Sequence, residues 1–177
     1  MSPVLRYEGG RLSPVDHRPV REFPLALTVN GIEIATLIGS PHDLRYLVAG
    51  FLRTQGLAAC ADDILALSVC EDVGAASVRI KGTVPDRLKP TLTSGCGAGI
   101  TFNLPPSSPL RRPSAESAPA FSPGDVFTMM SELSRLTEHY RAHGGIHSAA
   151  VGDGLSILLS AEDLGRHNTL DRIAGEA

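Results

Sequence analysis

The sequence predicts an α/β (α+β) chain: a small hairpin-plus-helix unit followed by a second α/β unit. Three observations carry this. Two apolar runs flank Asn30-Gly31, an apolar stripe runs along residues 44–52, and a stretch rich in Pro, Ser and Ala at 104–123 separates a second helix-and-strand pattern from the first. Asn-Gly between apolar runs signals a two-residue hairpin turn, and apolar spacing of three and four marks one face of a helix.

Residues 1–20 carry three prolines, two glycines and charge without a period, and read as a flexible N-terminal arm. Residues 21–103 form the first unit. "FPLALTV-NG-IEIATLI" is its hairpin. "SPHDLRYLVAGFLRTQG" reads as a helix, with Ser40 as cap, Pro41 in the first helical position, and Leu44, Leu47, Val48, Phe51 and Leu52 as the buried stripe. Gly56 is placed to end it. "ILALSVCE" (64–71) and "ASVRIKG" (76–82) give a second strand pair, and a glycine-rich loop follows at about 93–99.

Residues 104–123, "LPPSSPLRRPSAESAPAFSP", cannot bury a core and read as a linker or flap. In the second unit, 124–177, Ser122 and Pro123 start a helix running to about Ala142. Its expected inner face is Val126, Met129, Met130, Leu133 and Leu136. Two short strands follow around Gly152-Asp153-Gly154, and the chain closes with a loop entering a helix near Asn168.

The chain has 177 residues, 42% hydrophobic and 20% charged, which places it in the ordinary globular class. Its formal net charge of −3 argues against a general nucleic-acid or membrane-surface binder. No apolar run approaches the ~20 residues that span a bilayer, and residues 1–20 lack the apolar core of a signal peptide. Cys60, Cys70 and Cys96 are odd in number, with no CxxC spacing and no zinc-knuckle pattern. A reducing cytoplasm with free thiols is expected.

Cys60 and Cys70 adjoin or lie within apolar runs and read as structural. Cys96 differs, because "TLTSGCGAGITF" sets it among small, flexible residues. A thiolate is the nucleophilic form of cysteine, and successive N–H groups of a glycine-rich turn can form a nest for an anion. Local sequence leaves two readings open, a reactive thiol and a free cysteine in a turn.

The second polar concentration is His143, Gly144, Gly145 and His147, then Glu162, Asp163, Gly165, Arg166, His167 and Asn168. It reads either as an anion-binding pocket at a helix start, or as a helix capped by Asp163 with Arg166 and His167 solvated. Ser148 beside His147 is no hydrolase signature, since no GxSxG motif accompanies it.

The ordered set is more specific than its members. "VNG-x-x-x-A-T" leads to "S-P-x-D-L", "L-x-x-G-F-L" and "Q-G-L", then "T-S-G-C-G", "G-G-I-H-S-A-A" and "E-D-L-G-R-H-N-T-L-D-R". Over residues 21–177 this resembles the FdhD family, sulfurtransferases accessory to formate dehydrogenase. The resemblance implies a cytidine-deaminase-like fold for the second unit and a persulfide carried on Cys96. In that family the sulfur comes from a cysteine desulfurase and passes to the molybdenum of a bis(molybdopterin guanine dinucleotide) cofactor destined for formate dehydrogenase. His147, Asp163, Arg166, His167 and Asn168 would then face the cofactor's phosphates or the molybdenum shell. A homodimer is implied as well.

The deaminase zinc signature, H-x-E with P-C-x-x-C, is absent, so no zinc is expected. Two departures from the family pattern stand out. Gly99 occupies the place of a second cysteine two residues beyond the glycine that follows Cys96. The chain also stops just after "LDRIAGEA", where family members continue, so the second unit is expected to be incomplete.

Overall fold

A computed structural model describes residues 4–15, 20–84, 91–92 and 121–177. Strands β1 (Val4–Glu8) and β2 (Arg11–Val15) form an antiparallel hairpin turned by Gly9 and Gly10. The hairpin lies within residues 1–20, the stretch expected to be a flexible arm, and no strand was expected there. Leu5 lies opposite Pro14 and Tyr7 opposite Leu12 on one face, while Glu8 pairs with Arg11 on the other. Pro14 is tolerated in β2 because a two-stranded ribbon consists of edge strands.

Strands β3 (Phe23–Val29) and β4 (Ile32–Gly39) are the expected Asn-Gly hairpin. Asn30 does more than turn the chain. Its Nδ2 donates to the carbonyl of Gly82 at 2.9 Å, and its Oδ1 accepts from the N–H of Ile80 at 2.9 Å. That ties the hairpin to the second strand pair, β5 (Ile64–Cys70) and β6 (Ala75–Ile80). With β7 (Thr91–Leu92) these strands make one mixed sheet in the order β5-β6-β3-β4-β7, in which β3–β6 and β4–β7 are the parallel pairs.

Helix α1 (Leu44–Thr54) lays its expected stripe on this sheet. Leu44, Leu47, Val48, Phe51 and Leu52 pack with Leu25, Leu27, Val29, Ile34, Leu37, Ala76, Val78 and Ile80. The helix closes with N–H of Gly56 donating to Arg53 and N–H of Leu57 donating to Leu52, at 3.1 and 2.8 Å. This is the paired bonding of a Schellman end. Its start differs from expectation. The N-cap is Asp43, in the left-handed region at φ 43°, and Ser40 is not the cap. Cys60 and Cys70, read as structural, are both exposed, at a short 3-10 turn and at the end of edge strand β5.

Helix α2 (Pro123–Leu136) starts as expected, with Ser122 Oγ accepting from the Asp125 N–H and Asp125 accepting in return from the Ser122 N–H. It breaks at the buried Thr137, and a separate helix α3 (Glu138–His143) follows. The expected inner face is only partly realised. Met129 and Leu133 are half-buried, whereas Val126, Met130 and Leu136 are exposed.

Strands β8 (His147–Gly152) and β9 (Ile157–Asp163) form the expected ribbon, and α4 (Arg166–Glu176) follows at once. Helix α4 packs against α1. Tyr46 and Gly50 of α1 meet Gly175 of α4, while Gly50 and Thr54 meet Asp171, so the two helices run antiparallel. A Cβ on Gly50 would sit 1.6 Å from the carbonyl oxygen of Asp171, and one on Gly175 would sit 2.0 Å from that of Tyr46. Only glycine fits this crossing. No helix among the described residues is long and apolar enough to cross a membrane.

Candidate functional site

The turn between β9 and α4 is organised by one buried carboxylate. Asp163 is 0% exposed. Its Oδ1 accepts from the N–H of Gly165 at 2.8 Å and from Asn168 Nδ2 at 2.7 Å. Its Oδ2 accepts from the N–H of Ser40 at 3.0 Å and from Arg172 Nε and Nη2 at 2.9 and 2.7 Å. Such donors satisfy a buried carboxylate that would otherwise be costly to desolvate.

Arg172 is the other half of this hub. It is 2% exposed and forks between Asp163 and the β4–α1 turn. Nη2 donates to the carbonyl of Ser40 at 2.8 Å, and Nη1 donates to the carbonyl of His42. Asn168 Nδ2 also reaches the carbonyl of Ile38 at 2.9 Å, and Ser40 Oγ accepts from the N–H of Leu164 at 3.2 Å. The turn 163–168 is thereby fixed to residues 38–42 through both backbone and side chains. With the Ser40 and His42 carbonyls held by Arg172, Asp43 enters the helix through a left-handed conformation.

Beside the hub lies a cleft of about 360 Å³, walled by His42, Asp43, Tyr46, His139, Glu162 and Arg172. The His42 and His139 rings stack at 5.0 Å, 12° from parallel. His42 Nε2 is 3.0 Å from the carbonyl of Glu162, which places the proton on Nε2. Burial, then the charges of Arg172 and His139, hold the His42 imidazole below its ordinary pKa. Glu162 turns its carboxylate to the start of α3, accepting from the N–H groups of His139 and Tyr140 at 3.0 and 2.8 Å.

The residues expected to bind the cofactor gather at one end of the β8–β9 ribbon. His147 opens β8 directly across from Asp163, and Arg166 and His167 open α4. His147, Arg166 and His167 are exposed, Asn168 is half-buried, and Asp163 is sealed within the hub. Cys96 and Gly99 lie outside the described residues.

A model of the FdhD/NarQ family matches residues 20–177. The chain belongs to the FdhD/NarQ family. Similar relatives include the sulfur carrier proteins FdhD of Staphylococcus aureus strains Newman and USA300. Each is 34% identical over 177 residues, covering 98% of this chain and 66% of the relative. Among solved structures, the crystal structure of a proposed formate dehydrogenase accessory protein from Desulfotalea psychrophila matches with a TM-score of 0.67 and 20% identity. The match covers 99% of this chain and 64% of that one. The mixed α/β fold is thus shared with that structure, and this member spans about two thirds of the length of the FdhD relatives it matches.

Sequence reasoning passed over Ser40, His42, His139 and Arg172 as site residues. Arg172 had a legible signal. It falls at the helical spacing of the buried Thr169 and Ile173, and an arginine on a buried face calls for a carboxylate. Asp163, at the head of the same motif, is that carboxylate.

Proposed function

We propose that this FdhD/NarQ member is a sulfur carrier in the maturation of formate dehydrogenase, with Cys96 as the carrying residue. The carrying observation is the 34% identity to sulfur carrier proteins along 98% of this chain. "TSGCG" supplies the one cysteine set in a glycine-rich stretch.

In the loading step, the Cys96 thiolate attacks the outer sulfur of a cysteine desulfurase persulfide. A new S–S bond forms on Cys96, the donor's S–S bond breaks, and the donor cysteine leaves as a thiolate. The molybdenum of the bis(molybdopterin guanine dinucleotide) cofactor, the substrate, is the next acceptor. Release of that sulfur as sulfide consumes two electrons. With Gly99 in the place of a second cysteine, a separate thiol can supply them by attacking the inner sulfur, which breaks the persulfide S–S bond and leaves a disulfide to Cys96, unless the acceptor itself is the reductant.

At the ribbon end, His147, Arg166 and His167 present donors suited to the cofactor's phosphates. Asp163 and Asn168 hold the turn that carries Arg166 and His167. Formate dehydrogenase receives the cofactor. The same reading includes a second copy of the chain as partner and the cytoplasm as location.

The test uses the whole chain with a cysteine desulfurase and cysteine. Mass spectrometry should find one added sulfur atom on Cys96, and none after Cys96→Ala. Because Cys60 and Cys70 are exposed, they are the internal controls. An unmodified Cys96 with sulfur on either of them sinks the assignment. Gly99 favours a second reading, a cofactor holder that moves no sulfur. Formate dehydrogenase activity supported equally by Cys96→Ala and wild type would select it.

A further inference from the structure

The cleft beside the hub is walled on several sides by hydrogen-bond acceptors. Besides the residues already named, Glu176 near the end of α4 lines it. Among the described residues, the exposed Asp43 and Glu176 carboxylates make no hydrogen bond, so their oxygens are open to a donor. His42 adds a further acceptor. Its Nε2 carries the proton that goes to the Glu162 carbonyl, which leaves Nδ1 of the neutral ring with a lone pair. Burial, then the charges of Arg172 and His139, favour that neutral ring.

The walls carry net negative charge. Asp43, Glu162 and Glu176 stand against Arg172, and Arg172 is already matched by Asp163 at 2.7 Å. A metal ion does not suit the cleft, because among the described residues no three His, Cys, Asp or Glu side chains are grouped to hold one. The cation must therefore bring its own donors. The rings indicate its shape. His42 and His139 stack at 5.0 Å, 12° from parallel, and Tyr46 lines the same cleft. A guanidinium is planar, carries five N–H donors and no acceptor, and stacks on aromatic faces, whereas an ammonium is a compact, strongly hydrated point charge. The volume of about 360 Å³ is near the low end of the roughly 300–1,000 Å³ of small-molecule sites, and suits one side chain. A free amino acid would bring its own carboxylate against these acidic walls. An arginine within a polypeptide does not.

We propose that this cleft is a docking site for an arginine side chain of a protein partner, its guanidinium held by the Asp43 and Glu176 carboxylates and packed against the His42, His139 and Tyr46 rings. The site does not depend on what Cys96 carries.

The full chain, titrated with a capped Gly-Arg-Gly peptide and followed by NMR, should show shifts at the His42 and His139 rings and at the amides of Asp43, Tyr46 and Glu162. The matching Gly-Lys-Gly peptide and free L-arginine should both bind more weakly. Asp43→Asn and Glu176→Gln keep side-chain shape at exposed positions, and each should weaken the arginine peptide by about two- to fivefold, the scale of one exposed ion pair. No shift at the cleft, equal or tighter binding of the lysine peptide or of free L-arginine, or an unchanged affinity in the double variant would each overturn the site.

Discussion

An alanine at position 50 would bring a methyl group to 1.6 Å from the Asp171 carbonyl oxygen, a backbone atom that cannot swing aside. The helices must part, so Gly50→Ala should cost about 3 kcal/mol, the upper end of ordinary overpacking, in a urea unfolding titration. The Asp163–Arg172 pair yields a second expectation at this scale. Arg172→Met strands a buried carboxylate and should destabilise by about 3–5 kcal/mol. Adding Asp163→Asn should recover part of that loss, and a simple sum of the two single effects would show that the residues are not coupled. Neither feature is local in sequence. Gly50 and Gly175 read as weak helix residues until the partner backbone arrives, and Asp163 reads as a helix cap until Arg172 is placed beneath it.

The starts of α1 and α2 make a comparison between elements. Residues 40–43 and 122–125 are both Ser-Pro-x-Asp. At α2 the motif makes a reciprocal capping box, as the sequence predicts. Ser122→Ala should therefore cost about 1 kcal/mol and speed amide exchange in the first turn of α2. Unchanged exchange there would remove the cap's role. At α1 the same four residues do something else, because Asp163 takes the Ser40 N–H and Arg172 takes the Ser40 and His42 carbonyls. The β3–β4, β5–β6 and β8–β9 hairpins and the α1 stripe were legible because their turn and packing signals are local. The fate of Ser40 was not, because tertiary donors and acceptors outcompete a cap. The β1–β2 hairpin was missed for the opposite reason, its prolines and glycines masking a short alternation.

Across the whole molecule, the half-buried His42 and the buried Asp171 pull the pH dependence in opposite directions. His42 has a depressed pKa in the fold, so it contributes stability above the ordinary histidine value of 6.5 that is lost as the pH falls. Asp171 has a raised pKa, so it contributes stability that is full below 3.8 and lost as the pH rises through about 6. Thermal unfolding of Asp171→Asn should therefore show the His42 trend uncovered, falling more steeply toward acid than wild type. The order β5-β6-β3-β4-β7, which joins two hairpins through a parallel pair, was out of reach of any local pattern. The bond from the Ser40 N–H to Asp163 also spans 123 positions of chain. The entropy lost in closing a loop that long rises only with the logarithm of its length, by about 0.6 kcal/mol for each doubling. Insertions or deletions within residues 104–120, beyond β7 and Cys96, should therefore be nearly neutral for closure. A chain lengthened or shortened within 104–120 should thus keep the geometry of the hub.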